Sequence, residues 1–530
     1  MKKKLLAGIA VLLLAFLYYY IELPAINIHE SGFWFFLVAV IGIIVVVYAI
    51  RKRLYGTIQL KQSKGIKAGV ILMLVIIAVY AVGSLLSSPI INAKKYQNLV
   101  TPEERDLTED IQEISFNQIP LLDKDSAVLL GNRKMGSMVD MVSQFEVSDL
   151  YSQINYQGQP YRVTPLVYAN AIKWLTNQKD GIPAYIRIDM ATQNTELVKL
   201  EDGIKYSESE LLNRNIYRHL RFRYPTYMFD QLSFEINDDG VPYWICPVKK
   251  FNIGLFGGQT IGKVVLCNAI TGETEEYKIK DCPQWVDRAY PADLLIDLYN
   301  YHGTLKNGFF NSVLGQKGCL KTTDGYNYLA LEDDVWVYTG ITSVSGDRSN
   351  VGFVLMNQRT METRYYSCAG AEEYSAMESA EGQVQNLKYT AAFPLLLNIS
   401  NEPTYFMALK DGAGLVKKYA MVNIQKYQNV AIGDTVSECE KAYVKLLASN
   451  GITSTDEKST GTNEISGKIK RIGQAVMDGN SHFYLALEEN DEVYDVPVVD
   501  YPEIVTYDVG DEITLEYSED SPANVVLGIK

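Results

Sequence analysis

Histidine is scarce in this chain, which has only four among its 530 residues. They stand at positions 29, 219, 302 and 482, so no two of them have the HxxxH or HExxH spacing of a zinc site. There is also no GxSxG elbow and no P-loop, and the glycines at 257, 258 and 262 lack the spacing of phosphate-binding loops. The sequence therefore predicts no metal, no cofactor, no catalytic residues and no enzymatic activity.

Cysteine is also sparse, and its six residues show no CxxC spacing. Six cysteines in so long a chain are too dilute for a disulfide-stapled scaffold, and we expect mostly reduced thiols packed in a core. The six are Cys246, Cys267, Cys282, Cys319, Cys368 and Cys439.

Charge is missing from three long apolar stretches near the amino terminus, Leu5–Ile21, Ser31–Ile50 and Ala68–Ala93. Each is long enough to cross a hydrocarbon core of about 30 Å, the first only barely. Residues 1–91 are therefore predicted to form a membrane domain of three transmembrane helices. Because proton and ion paths are usually marked by charge inside the membrane, transport by this chain alone is not expected.

The flanks of these stretches predict their orientation. Lys2–Lys4 precede the first stretch and six Lys or Arg lie between the second and third, whereas Glu22 and Glu30 lie between the first and second. Because basic flanks stay cytoplasmic, we expect a multi-pass plasma-membrane protein with a cytoplasmic amino terminus and an extracytoplasmic part after about residue 91. A cleaved signal peptide is the alternative, but the first stretch ends in Tyr18–Ile21 rather than in small residues.

Positive charge is concentrated in the predicted membrane domain. The whole chain has a net charge of −14, and residues 1–90 carry nine Lys or Arg against two acids, which leaves −21 for the remainder. An acidic surface repels phosphate backbones, so nucleic acid is not expected as a partner. Basic peptides and cations would suit this surface, although acidity also serves solubility alone.

One turn pattern recurs three times in the part after the membrane domain. An apolar strand ends in Asp or Asn, followed by two residues, Thr, two residues and a second Thr. The Asx residues are Asp189, Asn268 and Asn357, and such side chains bind local backbone in tight reversals. The pattern predicts three hairpins.

Helix-start signals precede the turns and complete a repeat unit of helix, strand, strand, hairpin and strand. Thr164 with Pro165 predicts a helix over 166–175, Ser207 with Glu210 predicts one over 211–222, and Pro291 with Asp293 opens one that ends near residue 303. A degenerate fourth unit starts with a helix at 371–384, and a capping box from Thr435 to Glu438 starts a last helix at 436–448.

The second unit, over residues 207–280, resembles the PepSY family of small exported α+β modules through Asn268, Thr271, Gly272, Glu273 and Tyr277. The first and third units lack the Gly of this motif. The resemblance implies a helix packed on an antiparallel sheet and a binding or protease-regulating role, and it implies no catalytic residues.

Beyond a Ser-, Thr- and Gly-rich linker, short strands are predicted at 465–472, 482–487, 493–499, 512–517 and 524–529. Five strands in so short a segment predict a small barrel of OB or SH3-like type. The segment holds four basic residues against fifteen acids, which disfavours nucleic acid as its ligand.

The predicted fold class is thus three amino-terminal transmembrane helices, an α+β ectodomain of tandem PepSY-like modules and a carboxy-terminal OB-like β-barrel. The predicted domains are the membrane domain 1–91, a linking region 92–163, α+β modules at 164–206, 207–290 and 291–369, a degenerate module with the last helix at 370–448, a linker 449–463 and the barrel 464–530.

Two segments are candidate sites. Trp285, Asp287, Arg288 and Tyr290 combine aromatics with charge at a helix entrance, as interaction hot spots do, although Trp285 could instead fill a junction between modules. The second segment, a small polar loop that could hold a ligand or be a plain hairpin connection, contains Thr342, Ser343, Asp347 and Arg348.

The absence of catalytic motifs favours a membrane-anchored binding or scaffold protein of the cell envelope, one that engages an envelope protein such as a protease or an assembly. An accessory subunit of a membrane transport or secretion complex is the alternative. An envelope hydrolase that uses carboxylates such as Asp287 or Asp347 stays open, because paired acids leave no sequence signature. The partner and the oligomeric state are not predicted.

Overall fold

The computed structural model describes residues 2–54, 63–111, 120, 122–343, 349–452, 463–477, 480–488, 490, 492–498, 501–518 and 523–530. The chain divides into two compact units, Met1–Leu446 and Leu447–Lys530. Residues 453–462 of the predicted linker lie outside the described residues, as do Asp347 and Arg348 of the predicted ligand loop.

The first unit begins with the apolar helices α1 (Lys2–Glu22), α2 (Ser31–Leu54) and α3 (Lys64–Ser87). Within the described residues, α2 and α3 are long and apolar enough to cross a membrane, whereas the apolar part of α1, Leu6–Glu22, is shorter. The third predicted stretch ends early, because Ser88 is extended and Pro89 opens a new helix. Proline lacks the N–H that would continue α3 and forces its predecessor out of the helical region.

Beyond the apolar helices, the described residues of the first unit contain further α-helices and the strand β1 (Glu103–Arg105). The helices are α4 (Pro89–Gln97), α5 (Leu107–Asp110), α6 (Lys124–Gly136), α7 (Ala171–Asn177), α8 (Ile216–Arg223), α9 (Ala292–Thr304), α10 (Glu373–Gln383) and α11 (Val436–Ser449). Residues 92–163, predicted as a linking region, thus hold helices and strands of the fold.

In the described part of the first unit, four antiparallel sheets follow one another, and β1 adds a parallel strand to the third by pairing with β15. Sheet 1 contains β2 (Phe145–Val147), β3 (Ser152–Tyr156), β4 (Gln159–Tyr168), β5 (Ile182–Asp189) and β6 (Thr195–Ile204). Sheet 2 contains β7 (Ser233–Ile236), β8 (Pro242–Ile253), β9 (Gly257–Asn268) and β10 (Thr274–Lys278).

Sheets 3 and 4 have the same meander at their centres. Sheet 3 contains β11 (Leu320–Thr322), β12 (Asn327–Leu331), β13 (Asp334–Ser343), β14 (Ser349–Asn357) and β15 (Thr363–Ala371). Sheet 4 contains β16 (Thr390–Ala391), β17 (Leu395–Ile399), β18 (Glu402–Lys410), β19 (Val416–Asn423) and β20 (Val430–Gly433).

The three predicted hairpin turns are confirmed at the level of single hydrogen bonds. Oδ1 of Asp189, of Asn268 and of Asn357 each accepts the backbone N–H groups two and three residues further on, at 2.8–3.0 Å. The Thr hydroxyl of each turn then accepts a third N–H group. The Asx–Thr pattern therefore encodes one turn geometry three times.

The fourth unit keeps the strand connection but not the turn. The N–H group after each Asx residue donates to the carbonyl of the neighbouring strand, from Met190 to Pro160, from Ala269 to Pro242 and from Gln358 to Val335. Ile424 donates to Pro403 in the same way, after Asn423. Because the segment from Asn423 to Asn429 is longer than the other turns, the Thr-based pattern is lost.

Two predicted helix starts are wrong. Residues 164–168 belong to β4, where Phe145 pairs with Tyr168 and Pro165 with Tyr185, so strand pairing overrides the Thr–Pro start signal. The local helix begins only after Asn170, whose side chain caps α7. The predicted first module consequently begins too late, since its sheet starts at Phe145.

The second wrong start is the Ser207–Glu210 capping box. Ser207 Oγ does accept the N–H of Glu210 at 3.2 Å. The Glu210 carboxylate, however, accepts hydrogen bonds from Tyr168 of β4 and Trp174 of α7 instead of capping a helix. Helix α8 begins at Ile216 with Asn215 as its cap. The predicted helices at Pro291 and Thr435 are confirmed by α9 and α11, and the α11 capping box is formed in both directions.

Sheet 2 is buried on both faces. Trp244 and Cys246 of β8 lie in a core shared with Ile186 of sheet 1, whereas Ile245 lies in a core shared with Leu295 of α9 and Val354 of sheet 3. Successive strand residues point to opposite faces, which is why neighbours in β8 serve different cores. All six cysteines are buried and unpaired.

The second unit contains the predicted five-stranded barrel, in the closed order β21-β22-β23-β25-β24. Its strands are β21 (Asn463–Met477), β22 (Asn480–Leu487), β23 (Val493–Pro497), β24 (Glu512–Ser518) and β25 (Asn524–Ile529). β21 pairs with both β22 and β24, and β23 runs parallel to β25. Leu485, Val496 and Leu515 are among the fully buried side chains that fill it.

Candidate functional site

The segment predicted as an interaction site, 283–291, connects sheet 2 to α9 inside the fold. Asp287 and Tyr290 are buried, whereas Trp285 and Arg288 are half-buried. Trp285 packs on Tyr243 of β8 with ring centroids 5.2 Å apart. Trp285, Asp287 and Tyr290 thus contact the chain's own sheets, whereas Arg288 donates from Nη2 to the side chain of Gln231 at 3.0 Å.

Asp287 meets a second carboxylic acid there, Glu235 of β7, which is fully buried. Oε2 of Glu235 accepts the backbone N–H of Asp287 at 2.9 Å, and Oε1 accepts the N–H of Arg288 at 3.1 Å. Ser233 donates its hydroxyl to the same Oε1 atom at 3.1 Å. Three donors therefore converge on the Glu235 carboxyl group.

Asp287 has fewer donors. Its Oδ2 accepts the N–H of Asn155 of β3 at 2.7 Å, and its Oδ1 is buried with no hydrogen-bond partner in the described part of the chain. Asn155 also donates its side-chain amide to Asp333, next to Asp334 at the start of β13. We call this group, Asn155, Glu235, Asp287, Asp333 and Asp334, the carboxyl cluster; it joins sheets 1, 2 and 3.

Burial controls the protonation of the two central acids. It raises the pKa of Glu235 to about 7, against the effect of the hydrogen bonds from Asp287 and Ser233. It raises the pKa of Asp287 well above its usual value, and the nearby charge of Glu235 adds to the rise. Two buried carboxyl groups that interact do not both ionise readily, and Glu235, whose carboxyl group accepts three hydrogen bonds, keeps the charge more easily.

Asp334, also in the carboxyl cluster, is neutralised by an arginine. Arg359 donates from Nε and Nη2 to the two oxygens of Asp334, at 2.6 and 2.8 Å, and Asn357 donates to Oδ2 at 2.8 Å. The Asx turn of sheet 3 thus also supplies this ion pair.

Among the described residues, no group of three or more His, Cys, Asp or Glu could hold a metal ion. The carboxyl cluster thus contains two titratable groups whose protonation is coupled, Glu235 and Asp287.

The second predicted site is described only in part. Thr342 and Ser343 end β13, and Thr342 Oγ1 donates to the carbonyl of Ser349 in β14 at 3.0 Å. Asp347 and Arg348 lie outside the described residues.

A further group of polar residues lies where sheet 2 meets the ends of the apolar helices. Arg221 of α8 donates to the carbonyl of Leu23, after α1, at 2.7 Å, and His29, before α2, hydrogen-bonds the carbonyl of Leu255 at 2.7 Å. Ser87, the last residue of α3, accepts the N–H groups of Leu255 and Phe256 through Oγ at 2.9 and 3.2 Å. Helix α8 therefore contacts the end of α1, and the β8–β9 turn of sheet 2 contacts the start of α2 and the end of α3.

We call this region, formed by Leu23, His29, Ser87, Arg221 and Leu255, the helix-end junction, and aromatic contacts reinforce it. Phe256, in the β8–β9 turn, packs on Tyr80 of α3 with ring centroids 4.9 Å apart and on Trp34 of α2 at 6.1 Å. The Arg218 guanidinium lies 4.2 Å from the ring centroid of Tyr20 of α1.

Glu235 and the helix-end junction were not predicted as functional residues. Glu235 is the one charged residue in the short apolar strand Ser233–Ile236, and a charge there is the signal that could have identified it. The junction gives no such signal, because its partners are between 168 and 226 residues apart in sequence.

The residues described so far define a β-rich chain with apolar amino-terminal helices and a closed five-stranded barrel at the carboxyl end. No known family model matches the chain, and no curated protein sequence matches it either.

Proposed function

We propose that this protein is a membrane-anchored, extracytoplasmic binding scaffold of the cell envelope, with tandem PepSY-like modules and an OB-like barrel that engage an envelope protein such as a protease. The observation that carries the proposal is the helix-end junction. Together, α8 and the β8–β9 turn of sheet 2 contact the end of α1, the start of α2 and the end of α3, as required if three antiparallel spans hold the modules against one membrane face.

The repeat supports the binding role. Each of the four units presents a meander of three antiparallel strands, and the first three share one Asx–Thr turn. Stacked repeats build extended surfaces suited to protein partners. The closed five-stranded barrel, with β23 parallel to β25 and β21 pairing with β24, supports the proposed OB-like type, which binds ligands along its surface.

Exposed apolar residues beside the junction also fit a membrane surface. Phe310, Val313 and Leu314 are exposed, in and next to a short π-helix. The adjoining Phe309 packs on a cluster that includes Tyr96 and Ile253, close to the end of α3. Apolar side chains at this level would enter the headgroup region of a bilayer.

Cysteine labelling in intact cells tests the orientation. The native cysteines are all buried, so the unaltered chain is the unlabelled control. We expect a membrane-impermeant maleimide to label Val139→Cys, at an 86% exposed position, without permeabilisation, and to label Lys64→Cys, at the opposite end of α3, only after it. The reverse pattern would refute the orientation, and labelling of neither variant after permeabilisation would mean that the chain is not folded as described.

The partner is tested with the same variant. A photo-crosslinker attached at Val139→Cys in living cells is expected to capture an envelope protein above the level of an unirradiated sample. Recovery of background alone would count against a scaffold. Replacing α1–α3 up to the junction with unrelated spans separates the scaffold from an accessory transport subunit, because only the latter should lose activity.

A further inference from the structure

A polar groove without an assigned role lies at the helix-end junction. A groove of about 360 Å³ opens between the end of α1, the start of α2 and sheet 2. Its charged lining residues are Glu22, Glu30, Arg221 and Lys249. We call it the headgroup groove.

Neither cation of the headgroup groove forms an ion pair with a carboxylate in the described part of the chain, although burial lowers the pKa of Arg221 and the charge of Glu30 opposes that effect. Arg221 donates to backbone carbonyls only, at Leu23, Tyr224 and Tyr227. The Lys249 ammonium group makes no hydrogen bond among the described residues, although the side chain is half-buried. Guanidinium and ammonium groups held in this way are suited to a phosphate.

Two carboxylates face the same space. Glu22 is exposed and Glu30 is half-buried, and neither is in an ion pair among the described residues. Two cations and two carboxylates around one groove match a ligand that carries both a phosphate and an ammonium group.

The surroundings indicate a lipid. Tyr18 and Phe35 also line the headgroup groove, and Phe35 is 60% exposed on the apolar surface of α2. Ile21 of α1, 61% exposed, lies beside the same helix end. A headgroup in the groove would thus leave its acyl chains along apolar side chains, and aromatic residues at this depth are typical of the membrane interface.

We propose that the headgroup groove binds a phospholipid whose headgroup carries a phosphate and a primary ammonium group, as in phosphatidylethanolamine. Arg221 and Lys249 bind the phosphate, and Glu22 and Glu30 accept hydrogen bonds from the ammonium group. This inference rests on the membrane anchoring in the proposed function.

Binding is measured by native mass spectrometry of the full chain in detergent micelles, with phosphatidylethanolamine, phosphatidylcholine and phosphatidylglycerol of identical acyl chains. We expect phosphatidylethanolamine to bind about tenfold more tightly than the other two, since choline has no N–H donor and glycerol no charge for the carboxylates. Soluble phosphoethanolamine should compete if the headgroup alone is recognised, and failure to compete would assign the affinity to the acyl chains and overturn the headgroup site.

Matched variants locate the site. Lys249→Gln should weaken phosphatidylethanolamine binding about tenfold, whereas Lys250→Gln, at the exposed next residue on the other side of β8, should leave it unchanged. Glu30→Gln should remove the preference over phosphatidylglycerol. Equal effects of the two lysine variants, or no selectivity in the unaltered chain, would overturn the proposal.

Extraction of cell membranes with alkaline carbonate distinguishes failure of the lipid site from failure of the membrane anchor. A chain that stays in the membrane but shows no lipid selectivity refutes only the headgroup groove. A chain that is extracted refutes the membrane anchoring and the lipid site together.

Discussion

At the scale of single residues, Asp287 connects several sheets of the first unit. It comes from the sheet 2–α9 connection, binds β3 of sheet 1 and shares its surroundings with Glu235 and Asp334. A carboxyl group buried there is held in its protonated form, which costs stability whenever the unfolded chain would have released the proton.

The first prediction concerns Asp287→Asn. Because the pKa of Asp287 is raised in the fold, the folded chain binds a proton that the unfolded chain loses above its usual value of 3.8, so stability falls as pH rises through the acid range. The variant has no carboxyl group at this position and so lacks this pH-dependent loss of stability, and its amide oxygen can still accept the Asn155 N–H. We expect it to be more stable than the unaltered chain at pH 8, by about 1 kcal/mol or more, and by less at pH 4.5.

Thermal unfolding at both pH values measures the difference, with Asp281→Asn at an exposed position of the same connection as control. The control is expected to change stability little at either pH. A stability gain from Asp287→Asn that is equal at pH 4.5 and pH 8 would mean that the buried carboxyl group is not the cause.

At the scale of elements, the Asx–Thr turn places one residue in the left-handed backbone region. Gly272 has φ +75° there, whereas Gln193 and Met361 adopt φ 61° and 68° at the equivalent positions. Two of the three turns lack the Gly of the PepSY-like motif, yet the same turn forms with Gln193 and Met361 as with Gly272. The Asx and Thr hydrogen bonds compensate for the backbone strain.

The second prediction separates backbone strain from steric contact at Gly272. A Cβ atom on Gly272 would lie 2.3–2.7 Å from ring atoms of Tyr206, whereas one on Gly158, with φ +78°, would meet nothing within 4 Å. We expect Gly158→Ala to cost about 1 kcal/mol of unfolding free energy through strain alone. Gly272→Ala should cost clearly more, on the order of 3 kcal/mol, because the ring of Tyr206 must move.

Urea unfolding of the two variants and of the unaltered chain provides the comparison. Equal losses for the two substitutions would show that Tyr206 yields without cost and would contradict the packing described here.

At the scale of the whole molecule, the first unit is an array of related sheets with shared cores, and the second is a closed barrel with its own core. Sheet 2 contributes one face to the core with sheet 1 and the other to the core with sheet 3. Sheet 2 should therefore not fold independently of its neighbours, whereas a closed barrel has no unpaired edge and needs no neighbour.

The third prediction is that residues 453–530, produced alone, unfold cooperatively as a folded barrel. A domain this small is only marginally stable, and removing a fully buried side chain costs about 2–5 kcal/mol, so Leu515→Ala should abolish the transition. Val505→Ala, at a 61% exposed position, is the matched control and should preserve it. Circular dichroism with thermal melting makes the measurement, and an unfolded fragment would contradict an independent barrel.

Local patterns predicted much of the fold. The Asx–Thr spacing predicted the three hairpins, the Thr435 capping box predicted α11, and the spacing of short strands predicted five barrel strands. The turns and the start of α11 were predictable because hydrogen bonds between residues two to four apart decide them, and the barrel strands because their residue types favour extended backbone. The helix predicted after Thr164 failed because pairing with Phe145 and Tyr185, distant in sequence, outweighed a local helix signal.

The sequence by itself determined the apolar helices, the turns and the barrel strands, since hydrophobicity, caps and turn chemistry act over a few residues. Only the tertiary structure decided that Glu235 meets Asp287 and that Arg221, His29 and Ser87 gather at one helix-end junction. Those contacts join residues separated by about 50 to 230 positions, and which of them form depends on how the sheets pack, because burial and electrostatics act through space and leave no local pattern.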